Sequence, residues 1–396
     1  MIRPLFSILI PAYKNQFFAE ALESIVQQTY SKFQCIIVDD CSPYHLREIF
    51  DNTIGTDSRF EYYRNTKNYG ALDVVDNWNK CLNYAKGDYV ICMGDDDRLL
   101  PDCLNNYNTL IEKYPTLDVY HTRTDIIDEH SEIINIQDAR PEWESVYSLI
   151  WHKYNGRLQY IGDFLFRTSS LVERGGFYKL PMAFSSDDIS VVIAAKEKGI
   201  ANMQEFGYQY RNTPYTITNS GKIEDTCKGI LLAKQWYIDF LSKKAADSSD
   251  NKMRELSLEK IKFYYHNIYI YLMKKDMSCD LKKAFNKWKE KASTFGLYEY
   301  EIENEYKKRK REKLKQLIKE HGFDAQILNM DFISPDRLLP FNLDAFVMTA
   351  CPRIAIDDSA MYKKPVITPQ ELEIVLGLRS WDDYLMDEII IHDQQL

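Results

Sequence analysis

Several things that would place this chain outside a reducing, aqueous compartment are missing from it. The eight cysteines are scattered, without CxxC pairing, and several fall in apolar runs. That excludes a disulfide framework and suits reduced thiols of a cytosolic protein. No stretch approaches the roughly 18 consecutive apolar residues that a membrane helix needs. The opening "MIRPLFSILIPAYKN" offers one short apolar run and no small-residue cleavage site, so no signal peptide is expected. Positive charge is in the minority, with 50 Lys and Arg against 59 Asp and Glu and a net charge of −9. A nucleic-acid partner needs a basic face, and none is expected. There is no internal repeat and no low-complexity tract beyond "KKRKREK".

What is present suits a globular protein. Apolar residues make up 45 % of 396, enough for more than one core. In the first half, "FSILIP" (6–11), "FQCIIVDD" (33–40), "RFEYYRN" (59–65), "DYVICMG" (88–94) and "LDVYHT" (117–122) read as strands. Between them "FFAEALESIVQQ" and "ALDVVDNWNKCLNYAKG" carry apolar residues at helical spacing, the second ending at Gly87. "LPDCLNNYNTLIEKYP" reads as a helix with Pro101 in its first turn. Such alternation predicts an α/β fold with a mainly parallel sheet covered by helices. Ligands of such sheets sit beyond the carboxyl ends of the strands. Two acidic clusters fall there, Asp39-Asp40 and Asp95-Asp96-Asp97. Three adjacent carboxylates repel one another, and burying them is costly unless a cation or donors are at hand. They mark either a solvated turn or a site awaiting a cation. A divalent metal there would bridge protein carboxylate to substrate phosphate and neutralise a leaving diphosphate.

These segments, "FSILIPAYKNQFFAEALESIVQQTYSKFQCIIVDDCS", "AKGDYVICMGDDDRLLPDCL" and "ERGGFYKLPMAFSSDDISVVIAAKEKG", resemble in order and spacing the family 2 glycosyltransferases of GT-A fold, over residues 4–220. The resemblance implies transfer of a sugar from a nucleotide diphosphate sugar, UDP-linked by default, to a hydroxyl of a glycan or lipid-linked acceptor. It implies a single inverting displacement assisted by Mn²⁺ or Mg²⁺. It places Tyr13 against the base, Asp40 on the base imide with Asp39 in support, and Asp95 at the ribose or diphosphate. Asp96 and Asp97 become the metal residues, Asp188 the catalytic base with Asp187 beside it, and Arg211 a helper for the leaving group. Gly94 stands where many members carry the first aspartate of the acidic motif.

From 223 to 315 the chain turns helical, aromatic and basic, which is compatible with peripheral contact at the inner face of an anionic membrane. The charged helix "YEYEIENEYKKRKREKLKQLIKEHG" has acids first and bases last, as its dipole favours. The remainder, 316–396, reads as a small α/β tail, with "AQILNMD" and "AFVMTAC" as strands. "TPQELEIVLG" reads as a helix with Thr368 as cap, Pro369 at its first position and Glu371 closing a capping box. "TACPRIAIDD" and "KPVITPQELEIVLG" resemble the carboxyl-terminal end of the archaeal diphthamide-synthesis radical enzyme, placing Cys351 on one of its cluster cysteines. An iron–sulfur cluster needs three or four thiolates, and the partner cysteines of that family are missing, so no cluster is expected. The sequence therefore predicts a GT-A domain at 1–222, a helical basic region at 223–315 and the tail. The alternatives are diphthamide chemistry through the tail and a non-catalytic nucleotide-sugar binder.

Overall fold

The computed structural model describes residues 3–213, 222–349 and 352–384. The chain divides into two compact units, Met1–Asn267 and Ile268–Leu396.

The first unit is built on a ten-stranded sheet. β1 (Phe6–Ala12), β2 (Phe33–Asp39), β3 (Phe60–Arg64) and β4 (Tyr89–Cys92) run parallel in the order β3-β2-β1-β4. β1, β2 and β4 are buried almost throughout, which is why they read as unbroken apolar runs rather than alternating ones. Phe6, Ile8 and Ile10 with Cys35, Ile37 and Ile91 face one core. Helices α1 (Phe18–Val26), α2 (Leu46–Ile54) and α4 (Cys103–Lys113) fill that core. α3 (Val74–Leu82) lies against β1 and β2 with Val75 and Cys81 buried. Residues of opposite parity, such as Leu9, Ile36 and Val38, are equally buried, as a sheet covered on both faces requires.

The sheet continues with β5 (Arg98–Leu99), β6 (Val119–Ile127), β7 (Ile133–Ile136), β8 (Trp143–Glu144), β9 (Phe164–Arg167) and β10 (Ile200–Arg211). β9 pairs antiparallel with both β4 and β6, whereas β10 runs parallel to β6. The sheet is thus mostly parallel with antiparallel insertions. α5 (Val146–Tyr154), α6 (Thr168–Glu173) and α7 (Ser186–Ala195) complete this half. α8 (Ile223–Leu241) follows, burying Cys227, Ile230, Ala233, Tyr237 and Leu241 along one stripe. α9 (Ser248–Cys279) runs across the division between the units.

In the second unit, α10 (Leu281–Glu290) is capped by Asp280, whose carboxylate accepts from the Lys283 N–H at 3.1 Å. α11 (Ala292–Phe295) and α12 (Glu299–Glu320) follow. The tail has a small core of Met348, Ala355 and Val366 around two short parallel strands, Phe346–Val347 and Val366–Ile367. The helix Pro369–Val375 carries its capping box: Thr368 Oγ1 accepts from the Glu371 N–H, and the Glu371 carboxylate accepts from the Thr368 N–H at 2.6 Å.

Three local expectations are corrected. Pro101 precedes α4 by two residues and is not in its first turn. α3 ends at Leu82, and Gly87 has a packing role: a Cβ there would lie 2.7 Å from the Ser7 N and 2.8 Å from the Leu5 carbonyl oxygen. "AQILNMD" (325–331) forms no strand, since no neighbouring segment offers it a ladder among the described residues.

Candidate functional site

The first acidic cluster closes β2. Asp39 is wholly buried, and its charge is met by donors. The Ser42 N–H donates to Oδ1 at 2.7 Å, the Tyr62 hydroxyl donates to Oδ2 at 2.6 Å, and the Arg64 guanidinium reaches the same oxygen. Cys41 supplies the turn with a φ of 53°. Asp40 is buried too, accepting from the Tyr69 N–H at 3.0 Å, the Gly70 N–H at 3.3 Å and the Asn65 amide at 2.9 Å.

The second cluster follows β4, and it is no solvated turn. Asp95, Asp96 and Asp97 are 4 %, 7 % and 4 % exposed. One Asp95 oxygen accepts from the backbone N–H groups of Tyr13 and Lys14, both at 2.6 Å. The Lys14 ammonium pairs with Asp96 and lies 3.6 Å from the other Asp95 oxygen. Asp97 turns inward: Oδ1 accepts from the Arg211 N–H at 2.8 Å, and Oδ2 from the Tyr208 hydroxyl and the Gly94 N–H. A Cβ at position 94 would come within 2.5 Å of Asp97 Oδ2. Glycine at that place therefore lets the turn close on its own third acid. Burial pushes the Asp95 carboxyl up to about 6, with Lys14 opposing and Asp96 adding. Burial and then the Asp96 charge push Asp97 up to about 7.

The loop after β1 joins the two clusters. The Ser42 hydroxyl donates to the Tyr13 carbonyl at 2.6 Å, while the Tyr13 N–H is bound to Asp95. The Tyr13 ring stays 42 % exposed, an open face on which a planar group can stack. Arg211 is wholly buried. Its guanidinium donates to the Asp96 carbonyl at 2.8 Å, the Asp128 carbonyl and Ser131 Oγ at 3.0 Å each, and Glu20 at 2.8 Å. It braces the acidic turn from the protein side.

Asp188 sits in the first turn of α7, buried, with Lys153 of α5 paired to one oxygen and the Gln159 amide donating to the other at 2.6 Å. Burial works against the charged form of Lys153, but the Asp188 charge together with Tyr264, Asp187 and the hydrogen bond to Asp188 outweighs it, and the net shift is upward. Asp187 is half-buried and accepts from the Asp188 N–H at 2.8 Å. Burial and then the Asp188 charge raise its carboxyl to about 7. From Gln159 the chain passes to Tyr160, whose ring stacks on Tyr210 with centroids 3.8 Å apart, one residue before Arg211. So Tyr13, Asp39 and Asp95–Asp97 share one hydrogen-bonded assembly with Arg211 behind it. Asp187 and Asp188 stand on a separate helix, related to it through that stacked pair.

Asp96 is the acid suited to a divalent cation, because its carboxylate already holds a cationic group at its outer side. Both Asp97 oxygens are committed to protein donors. No group of three or more His, Cys, Asp or Glu side chains gathers for a metal among the described residues. One carboxylate plus phosphate oxygens is, however, a usual Mg²⁺ arrangement. Cys351 lies outside the described residues. No helix among those residues is long and apolar enough to cross a membrane.

Residues 7–177 match the model of glycosyl transferase family 2, and residues 274–385 match that of a diphthamide synthesis protein. A 2-(3-amino-3-carboxypropyl)histidine synthase of Pyrococcus horikoshii is 43 % identical over 75 residues, 19 % of this chain and 21 % of that protein. A GalNAc(5)-diNAcBac-PP-undecaprenol β-1,3-glucosyltransferase of Campylobacter jejuni is 32 % identical over 111 residues, 28 % of this chain and 34 % of that one. A glycosyltransferase of Methanocaldococcus jannaschii is 29 % identical over 145 residues, 36 % of this chain and 48 % of that one. The chain thus spans between a fifth and a half of the length of these relatives. Among solved structures, S. aureus TarS 1–349 in complex with UDP-GlcNAc superposes with a TM-score of 0.53 at 14 % identity, covering 82 % of this chain and 94 % of that one. That likeness shows the fold.

Proposed function

We propose, from a chain whose residues 7–177 carry a family 2 glycosyltransferase domain, that residues 1–222 transfer a sugar from a nucleoside diphosphate donor to a hydroxyl acceptor. The donor is UDP-linked in the first instance, thymidine diphosphate being the second choice. The acceptor is a glycan or a lipid-linked glycan precursor, as the undecaprenol-linked substrate named for the C. jejuni relative suggests. Residues 223–315 form the helical region and 316–396 the tail.

The observation that carries this is the burial of three consecutive acids beneath the loop bearing Tyr13, with backbone donors on Asp95 and Asp97 and the Lys14 ammonium on Asp96. Desolvating carboxylates is expensive, and the arrangement is understandable where a cationic centre and a diphosphate complete it. Tyr13 stacks the base, and Asp40 with Asp39 orients the loop around it. Asp95 holds the Tyr13–Lys14 backbone at the ribose and diphosphate. Asp96 would hold Mn²⁺ or Mg²⁺, which when bound supplies charge neutralisation to the departing diphosphate. Asp97 and Arg211 keep the turn closed. Asp188 takes the proton of the acceptor hydroxyl as its oxygen bonds to the anomeric carbon. The bond from that carbon to the diphosphate breaks with the electron pair leaving on phosphate, so configuration inverts. Asp187 stands beside the base.

Isothermal titration of UDP, with and without Mn²⁺, into wild type and Asp96→Ala tests this. Metal-dependent binding that the substitution removes is the expected result. Silence of the wild type towards both uridine and thymidine diphosphates overturns it.

A further inference from the structure

The acidic turn already contains a cation of its own. Lys14 comes from the loop after β1, and its ammonium pairs with Asp96 while lying 3.6 Å from Asp95. Its backbone N–H is tied to Asp95 at 2.6 Å. The root of the side chain is thus anchored at the turn, while four flexible carbons carry the charge. The side chain is 30 % exposed, so it is not sealed into the turn. The Asp96 backbone, by contrast, cannot follow it: the Asp96 carbonyl is held at 2.8 Å by Arg211, whose guanidinium is wholly buried. A movable cation therefore faces a carboxylate carried on a fixed backbone.

An ammonium and a divalent cation cannot share one carboxylate at contact distance without strong mutual repulsion. We propose that Lys14 is a resident counter-ion that a divalent cation displaces from Asp96, and that the freed ammonium turns to the diphosphate arriving with that cation. This rests on the assignment of Asp96 as the metal residue. In the free protein Lys14 offsets part of the desolvation cost of the acids. In the loaded protein the same charge serves the donor phosphates, for which a lysine is a compact point-charge partner. Metal alone must expel Lys14 with no compensation, whereas metal with nucleotide gives the ammonium a new partner. Metal and nucleotide binding are then coupled through one side chain, and the coupling is reciprocal.

The test is calorimetric and needs no turnover. Mn²⁺ alone, and UDP at saturating Mn²⁺, are titrated into wild type, Lys14→Met and Lys14→Arg, with thermal melts confirming that each variant folds. Should Lys14→Met melt early, Lys14→Gln takes its place. The expected result is Mn²⁺ binding about tenfold tighter in Lys14→Met and UDP binding about tenfold weaker, about 1.4 kcal/mol each way. Lys14→Arg should restore both towards wild type. Unchanged or weaker Mn²⁺ binding in Lys14→Met overturns the proposal. Asp96→Ala separates the two layers. If it abolishes Mn²⁺ binding while Lys14→Met leaves it unchanged, displacement fails and the metal assignment stands. If Mn²⁺ binds Asp96→Ala as it binds wild type, or binds no variant at all, both fall.

Discussion

The buried acids of the candidate site are held by groups remote from them in the chain. Asp39, Asp40 and Asp95–Asp97 could be placed at strand ends because strands read from local pattern and ligands favour their carboxyl ends. Tyr208, which holds Asp97, lies 111 residues away, and Lys153 lies 35 residues from Asp188. Only the fold brings such pairs together, and no spacing announces them. Lys14 was in plain view in "PAYKN" but has no local partner to give it meaning. Asp163 shows how far such networks extend. It is wholly buried, accepting from the Thr124 hydroxyl, the Gln137 amide and the Tyr160 N–H. Burial raises its carboxyl to about 6, with Thr124 and then Arg140 acting the other way. A raised folded-state value means that the native state holds this proton more tightly than the unfolded chain does. Stability from this group therefore increases as pH falls from about 7 towards 4, by up to about 3 kcal/mol. Urea melts of wild type and Asp163→Asn at pH 7.5 and 5 should show wild type gaining on the variant at the lower pH. A difference independent of pH would mean that Asp163 ionises normally.

At the scale of elements, α1, α4 and the strands β1–β4 and β6 followed their apolar patterns, while α2, β10 and the antiparallel insertions did not show. β9 is four residues long, wedged between β4 and β6, too short to stand out from its surroundings. The approach to α7 was equally hidden: Met182, Ala183 and Ser185 take φ values of 60°, 52° and 58°. Left-handed backbone is uncommon outside glycine, and nothing in "LPMAFSSDD" signals it. Tertiary packing imposes it just ahead of the helix that carries Asp187 and Asp188. α7 is in turn pinned to α5 by the Lys153–Asp188 pair, with Tyr154 packed against Tyr237 and Tyr264 at 5.7 and 4.7 Å between ring centroids. Removing one partner of a buried pair strands the other charge, at a cost of about 3–5 kcal/mol. Lys153→Met should lose about that much in chemical denaturation, and Lys153→Met/Asp188→Asn should recover most of it. A double variant as unstable as the single would show that Lys153 acts by packing and not by charge.

At the scale of the whole molecule, separate stretches of one chain match two family models, and both likenesses were visible because their signatures are local strings. The tail keeps the capping box that its sequence announced. Cys351→Ala should leave UDP binding unchanged in calorimetry; a loss would tie the tail to the nucleotide site. The shared hydrogen bonds among Asp39, Ser42, Tyr13 and Asp95 bear on how this protein can evolve. A substitution in one loop alters the footing of the others, so effects within the assembly will not add. A change of nucleotide preference would then have to pass through paired mutations, each harmful alone, and relatives that have made it should carry both.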